Sequence, residues 1–504
     1  MTEERKEYSN SLKVFAKGSI IIFIGIFLSK LFTYLYRIVV ARFYGPDIYG
    51  VLALSLMILG WFSILAGLGL NNGLTRFLSI YRGKNEEEKA PWLFSNIFKI
   101  LLITSTISSI LLFMLSDFIA ITFFNSPELS LFLKIIAFTI PLSHLTGTFL
   151  ASLRAYEKIG VYSLISKIIE TGGKLFFLII FLFFGLGIFL IPLSYLLAGI
   201  TTFLIALILS KKYLPLLASK KSKKDPKILK KVFSYSLPLI LFGFAISLLH
   251  QTDSFMIGFF LGVKEVGLYN AAIPIALLVT ISIDLFRQLF LPIATKEYSR
   301  GKKKLVEQIS KQITKWTLLV SFPIFILIFL FPGAFIKLFF GEEFLVAATA
   351  LQILVIGAMF TNSFEISKEL LLMKGKSKLI LFDIAIVVMT NITLNLILIP
   401  PYGINGAAIA TSISLILLGL TYFFQAGKIV KIFIIRRKIL NLLFASLYSG
   451  ILLYLISLHI NSNLRDLIAS IIIFSILYLI GLFAFRVLDK NDLEILNTIK
   501  KRFI

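Results

Sequence analysis

The sequence predicts an all-α integral membrane protein, a bundle of about fourteen transmembrane helices built as two repeated six-helix lobes followed by two further helices. Three observations predict it. The 504 residues are 58% hydrophobic and 15% charged, with a mean hydropathy of +0.94, which leaves too little polar surface for a soluble globule. Apolar runs of about 20 residues, the length that crosses hydrocarbon, recur from end to end. Finally, Gly45-Pro46-Asp47-Ile48-Tyr49-Gly50 and Gly262-Val263-Lys264-Glu265-Val266-Gly267 each open an apolar run, 217 residues apart. Gly185 and Gly403 precede apolar segments at an offset of 218, and Lys13-Val14-Phe15 is echoed by Lys231-Val232-Phe233.

The first six spans fall at 14–41, 48–71, 92–116, 129–152, 160–184 and 187–210, and they define an N-lobe over 1–210. A stretch between two of these, Asp117 to Glu128, is apolar but too short to cross and ends in Asn125-Ser126-Pro127, which reads as an external loop or interfacial turn. The longest polar connection, a basic linker over 211–231 that contains Lys220-Lys221-Ser222-Lys223-Lys224-Asp225-Pro226, separates the lobes. Six more spans, 233–257, 266–292, 314–339, 346–372, 377–399 and 404–426, form a C-lobe over 232–427. The segment 428–504 holds the unpaired spans 438–458 and 465–487 and a tail. The period is helical and the runs are about twice the length of a barrel strand, so outer-membrane strands are excluded.

A formal charge of +25 would point to nucleic acid in a soluble protein. Here the charge lies in alternate loops. Arg76, Arg82, Lys84 and Lys89, then Arg154 and Lys158, then the linker, then Arg300 to Lys304, Lys374 to Lys378 and Lys428 to Lys438 all fall on one side, while the other holds little beyond Lys264 and Arg465. This positive-inside bias sets both termini in the cytoplasm, with the plasma membrane as the default location, and gives nucleic acid no part. The charged start, Met1 to Lys13, leads into a run too long for a cleavable signal, so the first helix is expected to remain as an anchor. There is no cysteine, and three scattered histidines make no zinc pattern. No P-loop, Gly-x-Ser-x-Gly or His-Glu-x-x-His occurs, so the expectation is a transporter, not an enzyme, with no cofactor.

Charged side chains inside spans cost about 2.5 to 3.5 kcal/mol each and are kept where they face a cavity or a partner. In span one, Lys30, Tyr34 and Arg37 share a helix face. Span five carries Ser163, Lys167, Glu170 and Lys174 at i, i+4, i+7 and i+11, a polar stripe with a net positive charge. The C-lobe differs in sign, with Asp253 beside His250 and Gln251, Asp284 and Arg287 at i, i+3, Asn362, Glu365, Lys368 and Glu369, and Asp383, Asn391 and Asn395. Asp253, Asp284 and Glu365 are candidates for proton or sodium coupling; snorkelling lysines and neutralised internal pairs are the plainer alternative for each charge. The cationic N-lobe suits an anionic group, and diphosphate suits several fixed cations that share its charge.

Ala41-Arg42-Phe43-Tyr44-Gly45-Pro46-Asp47-Ile48-Tyr49-Gly50, Gly67-Leu68-Gly69-Leu70 with Thr75-Arg76-Phe77, Asp253 with Gly262 to Tyr269, and Pro400-Pro401-Tyr402-Gly403-Ile404-Asn405-Gly406-Ala407-Ala408 together resemble the multidrug, oligosaccharidyl-lipid and polysaccharide (MOP) exporter superfamily. Within it the chain is most similar to polysaccharide repeat-unit flippases, over nearly its whole length. The resemblance implies a V-shaped two-lobed fold with alternating access. It also implies a glycan on a polyprenyl (di)phosphate as substrate, moved from the cytoplasmic to the outer leaflet. Membrane lipids are the surroundings it implies, and a glycan polymerase or glycosyltransferases are candidate partners. In lipid-II-type relatives a cationic cavity that includes helices one and eight binds the diphosphate; Lys30, Arg37 and Arg287 occupy comparable helices here, and Lys167 and Lys174 complete the expected headgroup set. A cation-coupled drug antiporter is the rival within the superfamily, set apart by its usual twelve helices and acidic first lobe. A non-transporting scaffold of a glycan-assembly complex is the third reading.

Overall fold

The computed structural model describes residues 3–185, 187–214, 223–457 and 464–488, with side chains from residue 24 onward except 284, 285, 288, 289, 437 and 464–468. Residues 215–222 of the expected linker and 489–504 of the expected tail lie outside the described residues. Among the described residues all regular structure is helical, and every span read from the sequence falls on helix, give or take a few residues at its ends. Ten stretches of the described residues are long and apolar enough to cross a membrane. Two of these, Ile24–Gly67 and Ser377–Val430, are broken internally, at Gly45 and Gly403, and each is long enough for two crossings.

Two compact units divide the chain, Met1–Gly267 and Leu268–Ile504. The first begins with α1 (Glu3–Gly67), α2 (Leu70–Gly83) and α3 (Ala90–Phe118). It continues through α4 (Pro127–Ala137), α5 (Thr139–Ala155), α6 (Ile159–Ser163), α7 (Glu170–Phe183), α8 (Leu190–Tyr213) and α9 (Pro226–Phe260). The start of α10 (Val263–Ala276) also belongs to it. The second unit holds the rest of α10 with α11 (Ile281–Ser299), α12 (Lys303–Leu330), α13 (Pro332–Phe339), α14 (Ala348–Met373), α15 (Ser377–Gln425), α16 (Arg437–Ser457) and α17 (Leu464–Ala484).

The four glycines paired by the repeat all adopt the left-handed backbone that a side chain resists: Gly45 at φ 73°, Gly185 at 64°, Gly262 at 105° and Gly403 at 58°. Gly45 breaks α1 into two limbs, and Pro46 opens the second limb where its missing N–H is no loss. Gly403 breaks α15 just after Pro400 and Pro401. Gly50 and Gly267, the last residues of the two repeated motifs, do something else. Both are helical, and a Cβ on Gly50 would overlap the Val263 carbonyl oxygen and lie 2.9 Å from the Gly267 nitrogen. Reciprocally, a Cβ on Gly267 would overlap the Pro46 carbonyl oxygen and lie 2.9 Å from the Gly50 nitrogen. The first glycine of each motif turns the chain; the second lets two backbones touch.

The core of the first unit joins α2, α3, α5, α8 and α9 through Leu70, Leu74, Leu93, Ile97, Leu153, Ala206 and Val232, all fully buried. Polar side chains fasten α3 by donating to carbonyls of neighbouring helices: Thr104 to Ala66 at 2.8 Å, Ser108 to Phe62 at 3.0 Å and Ser109 to Ala137 at 2.8 Å. Its other face presents Ile103, Ile107, Ile110 and Met114, all exposed, as a lipid-facing helix should. The expected loop over 117–128 is mostly helix: α3 runs on through a wide turn at Ile119–Phe123, Asn125 takes a positive φ, and Ser126 caps α4 by accepting from Leu129 N at 3.3 Å. An N-cap before Pro127 is a helix start, so the chain reverses in a few residues.

Packing of α9 on α2 explains why the unit boundary falls at Gly267 and not in the basic linker. Gly69 and Gly73 lie against Ser236, Arg76 sits 4.3 Å over the Tyr235 ring, and Tyr81 donates to Asp225 at 3.0 Å. Burial, and then the Asp225 carboxylate, raise the Tyr81 phenol above its ordinary range, while the Lys89 ammonium holds exposed Glu86 below the usual carboxylate range. In the second unit a buried ladder joins α11, α12 and α14: Asn362 donates to Ser321 at 2.7 Å, and Ser321 and Ser282 are 2.7 Å apart. Tyr478 fastens α17 to α12 by donating to the Leu319 carbonyl at 2.9 Å.

Candidate functional site

Arg37 lies on the first limb of α1, half-buried, and hydrogen-bonds Tyr49 on the second limb, so one side-chain pair bridges the break at Gly45. One residue earlier, Tyr36 is buried against α8: its hydroxyl is 3.1 Å from the Ile191 carbonyl and 2.9 Å from Ser194 Oγ, and its ring meets Tyr195 edge-on at 5.2 Å. Tyr195 in turn carries Lys174, whose Nζ is 4.9 Å from the ring centroid and 3.4 Å from Glu170 Oε1. Two of the expected cations are therefore linked through tyrosines across α1, α7 and α8. Lys30 is half-buried on the first limb.

The polar stripe expected in span five is divided. Leu164–Ile169 forms a wide π-type turn, which admits an extra residue and rotates the N-terminal part of the stripe away from its C-terminal part. Ser163 and the stem of Lys167 accordingly lie against Gly25 of α1, while Glu170 and Lys174 open into a cavity of about 360 Å³ inside the first unit. Ser63 of α1, Ser143 and Thr146 of α5, and Tyr195 and Thr202 of α8 share its walls. His144, next to this lining, is held by Ser63, whose hydroxyl and carbonyl oxygens are 3.1 and 2.9 Å from Nε2.

In the second unit Arg287 of α11 donates to Glu365 of α14 at 3.2 Å, and Lys368 reaches the same carboxylate oxygen. Glu365 and Glu369 are both buried. Two acids and two bases thus gather in the lobe whose spans carry an excess of acid. Arg287 is 41% exposed, so solvent screens its side of the pair; Glu365→Gln is expected to cost only about 1 to 2 kcal/mol, read as a fall in thermal midpoint in detergent. Asp253 is buried on α9, and the Asp284 side chain lies outside the described residues. Sequence reasoning passed over Tyr49 and Tyr195, and over Lys315 of α12, which is fully buried. Among the described residues no group of three His, Cys, Asp or Glu side chains gathers to hold a metal.

Comparison with known proteins bears on the family and the fold. The family model described as polysaccharide biosynthesis protein matches residues 15–292, and the MatE model matches 238–397. A putative O-antigen transporter of Shigella flexneri is 26% identical over 394 residues, 75% of this chain and 89% of that protein. An uncharacterized membrane protein of Methanocaldococcus jannaschii is 25% identical over 347 residues, 68% of each chain. Among solved structures, the lipid II flippase MurJ in an inward closed conformation superposes with a TM-score of 0.76 at 18% identity, over 93% of this chain and 99% of that one. With more than half its length matched by one model and the fold of the MOP-superfamily transporters, the chain belongs to the polysaccharide biosynthesis protein family.

Proposed function

We propose that this protein is a flippase that moves a polyprenyl-(di)phosphate-linked oligosaccharide from the cytoplasmic to the outer leaflet of the plasma membrane, by alternating access, for cell-surface glycan assembly. The observation that carries the reading is the set of fixed cations inside the first unit of a chain of this family: Arg37 on Tyr49 and Lys174 on Tyr195, with Lys30 and Lys167 on the same helices. A diphosphate is the common membrane-linked group whose charge several cations can share without full neutralisation by any one. The putative O-antigen transporter and the lipid II flippase among its relatives support the same class of cargo.

In this reading Lys30, Arg37, Lys167 and Lys174 offer the phosphates their charge and the prenyl tail stays in lipid, while Arg287, the remaining candidate, belongs to the second unit and is paired with Glu365. Coupling to protons or sodium is assigned to Asp253, Asp284 or Glu365, the last of which is paired with Arg287 and Lys368. The basic loops keep both termini in the cytoplasm, where a glycosyltransferase or polymerase would meet the chain.

The test is translocation of a fluorescent glycosyl prenyl diphosphate in proteoliposomes, wild type against a Lys30→Ala, Lys174→Ala double variant that still inserts. Transport by the wild type and its loss in the variant are expected. The MatE match over 238–397 favours a second reading, a cation-coupled drug antiporter. That reading gains if the wild type moves no glycolipid, with several headgroups tried, yet exchanges a cationic drug for sodium or protons.

A further inference from the structure

The cavity inside the first unit offers its ligand a group of hydrogen-bond acceptors beside one ammonium. Thr139 donates its hydroxyl proton to the Ile136 carbonyl at 2.6 Å, Ser143 to Ile140 at 2.9 Å and Thr202 to Ala198 at 2.6 Å. Each of these three hydroxyls therefore spends its one proton on a backbone carbonyl and keeps only lone pairs for a guest, while Ser63, Thr146 and the Tyr195 phenol complete the polar wall. Glu170 adds a carboxylate, which is acceptor-only when ionised. Lys174 is the cavity's charged donor, and it is already turned to Glu170 at 3.4 Å.

A phosphate brings acceptors and negative charge and would meet the Glu170 carboxylate and three hydroxyl lone-pair sets, which oppose the pull of the already paired Lys174. A polyol brings what the wall lacks, many O–H donors, together with acceptors for Lys174. The Tyr195 ring supplies a flat apolar face of the kind a pyranose ring covers with its C–H groups. The volume, about 360 Å³, lies at the low end of small-molecule sites and holds one or two sugar rings but no longer chain.

We infer that this cavity is a sugar subsite, which reads a terminal residue of the glycan through Glu170, Lys174, Tyr195 and the hydroxyls of α5 and α8. The inference rests on the flippase reading for its biological cargo, and it moves Lys174 from the phosphate to the sugar. It also separates two tasks within one unit, with anion binding left to α1 and glycan selection placed at α5, α7 and α8.

Because the chain has no cysteine, Ser143→Cys gives a single thiol on the cavity wall, and Ser63→Cys gives a second, independent reporter. Maleimide labelling of the purified full-length protein is measured with free N-acetylglucosamine, galactose or mannose, and with pyrophosphate at matched ionic strength. At least one sugar is expected to slow labelling several-fold while pyrophosphate does not, and Glu170→Gln in the same background is expected to abolish the protection. Protection by pyrophosphate alone, protection by nothing, or protection that survives Glu170→Gln in both reporters would overturn the inference. In proteoliposomes Glu170→Gln is expected to slow a glycosyl prenyl diphosphate about tenfold and leave bare prenyl diphosphate unchanged. Equal loss for both lipids counts against a sugar site, whereas a wild type that moves neither sinks the flippase reading and leaves the labelling result to decide the cavity.

Discussion

Arg37→Ala is expected to slow translocation of a lipid-linked glycan by about a hundredfold, the scale of a lost charge-assisted contact to phosphate together with the reorganisation around it. Arg37 does two things at once: it presents a guanidinium, and through Tyr49 it ties the limbs of α1 across the Gly45 break. Tyr49→Phe separates them, because it removes the tie and keeps the cation. That variant is expected to lose only about threefold to tenfold, the scale of one hydrogen bond. Arg37→Lys should fall between the two, since a lysine keeps the charge and loses the planar fork that two phosphate oxygens can share. The measurement is the initial rate in proteoliposomes, with insertion and thermal midpoint checked for each variant. If Tyr49→Phe slows transport as much as Arg37→Ala, the guanidinium is a strut; if Arg37→Ala transports normally, the headgroup lies elsewhere.

The second large effect is steric. Gly50→Ala and Gly267→Ala each place a methyl group into a backbone carbonyl oxygen, and a carbonyl cannot rotate aside as a side-chain tip can. Either substitution is expected to cost about 1 to 3 kcal/mol of stability by forcing the helices apart, and to cut translocation at least about tenfold because the motif can no longer close. The double variant should cost less than the sum of the singles, since the first methyl has already opened the gap that the second needs. Gly243→Ala is the control: it lies within α9 with nothing within 4 Å of the new Cβ, and the better helix propensity of alanine should leave it neutral or slightly stabilising. Strictly additive losses at 50 and 267 would mean that the two glycines act separately.

The spans are legible in the sequence because hydrocarbon imposes a length, and few other constraints write so plainly. The turn glycines at 45, 185, 262 and 403 are legible as well, through the repeat and the apolar runs they precede. Gly50 and Gly267 are not, since a glycine needed for positive φ and one needed for close approach look alike until the neighbouring backbone is known. The stripe through Ser163, Lys167, Glu170 and Lys174 assumes 3.6 residues per turn; the π-type turn at Leu164–Ile169 breaks that period and leaves no mark in composition. Tyr49 and Tyr195 stand alone in apolar segments, so only tertiary packing reveals that they hold Arg37 and Lys174. Asp117 to Glu128 reads as a loop because its apolar run is too short to cross by itself, and the helical continuation of α3 absorbs it.

The crossing of Gly50 and Gly267 has a symmetry of its own. Gly50 meets Val263 and Gly267, while Gly267 meets Pro46 and Gly50, so exchanging the two motifs maps the contact onto itself. That is the geometry of an isologous contact, in which a surface pairs with a like copy of itself. Each glycine therefore confines the other: a methyl group on either side closes the same gap, and neither position can change without regard to its partner.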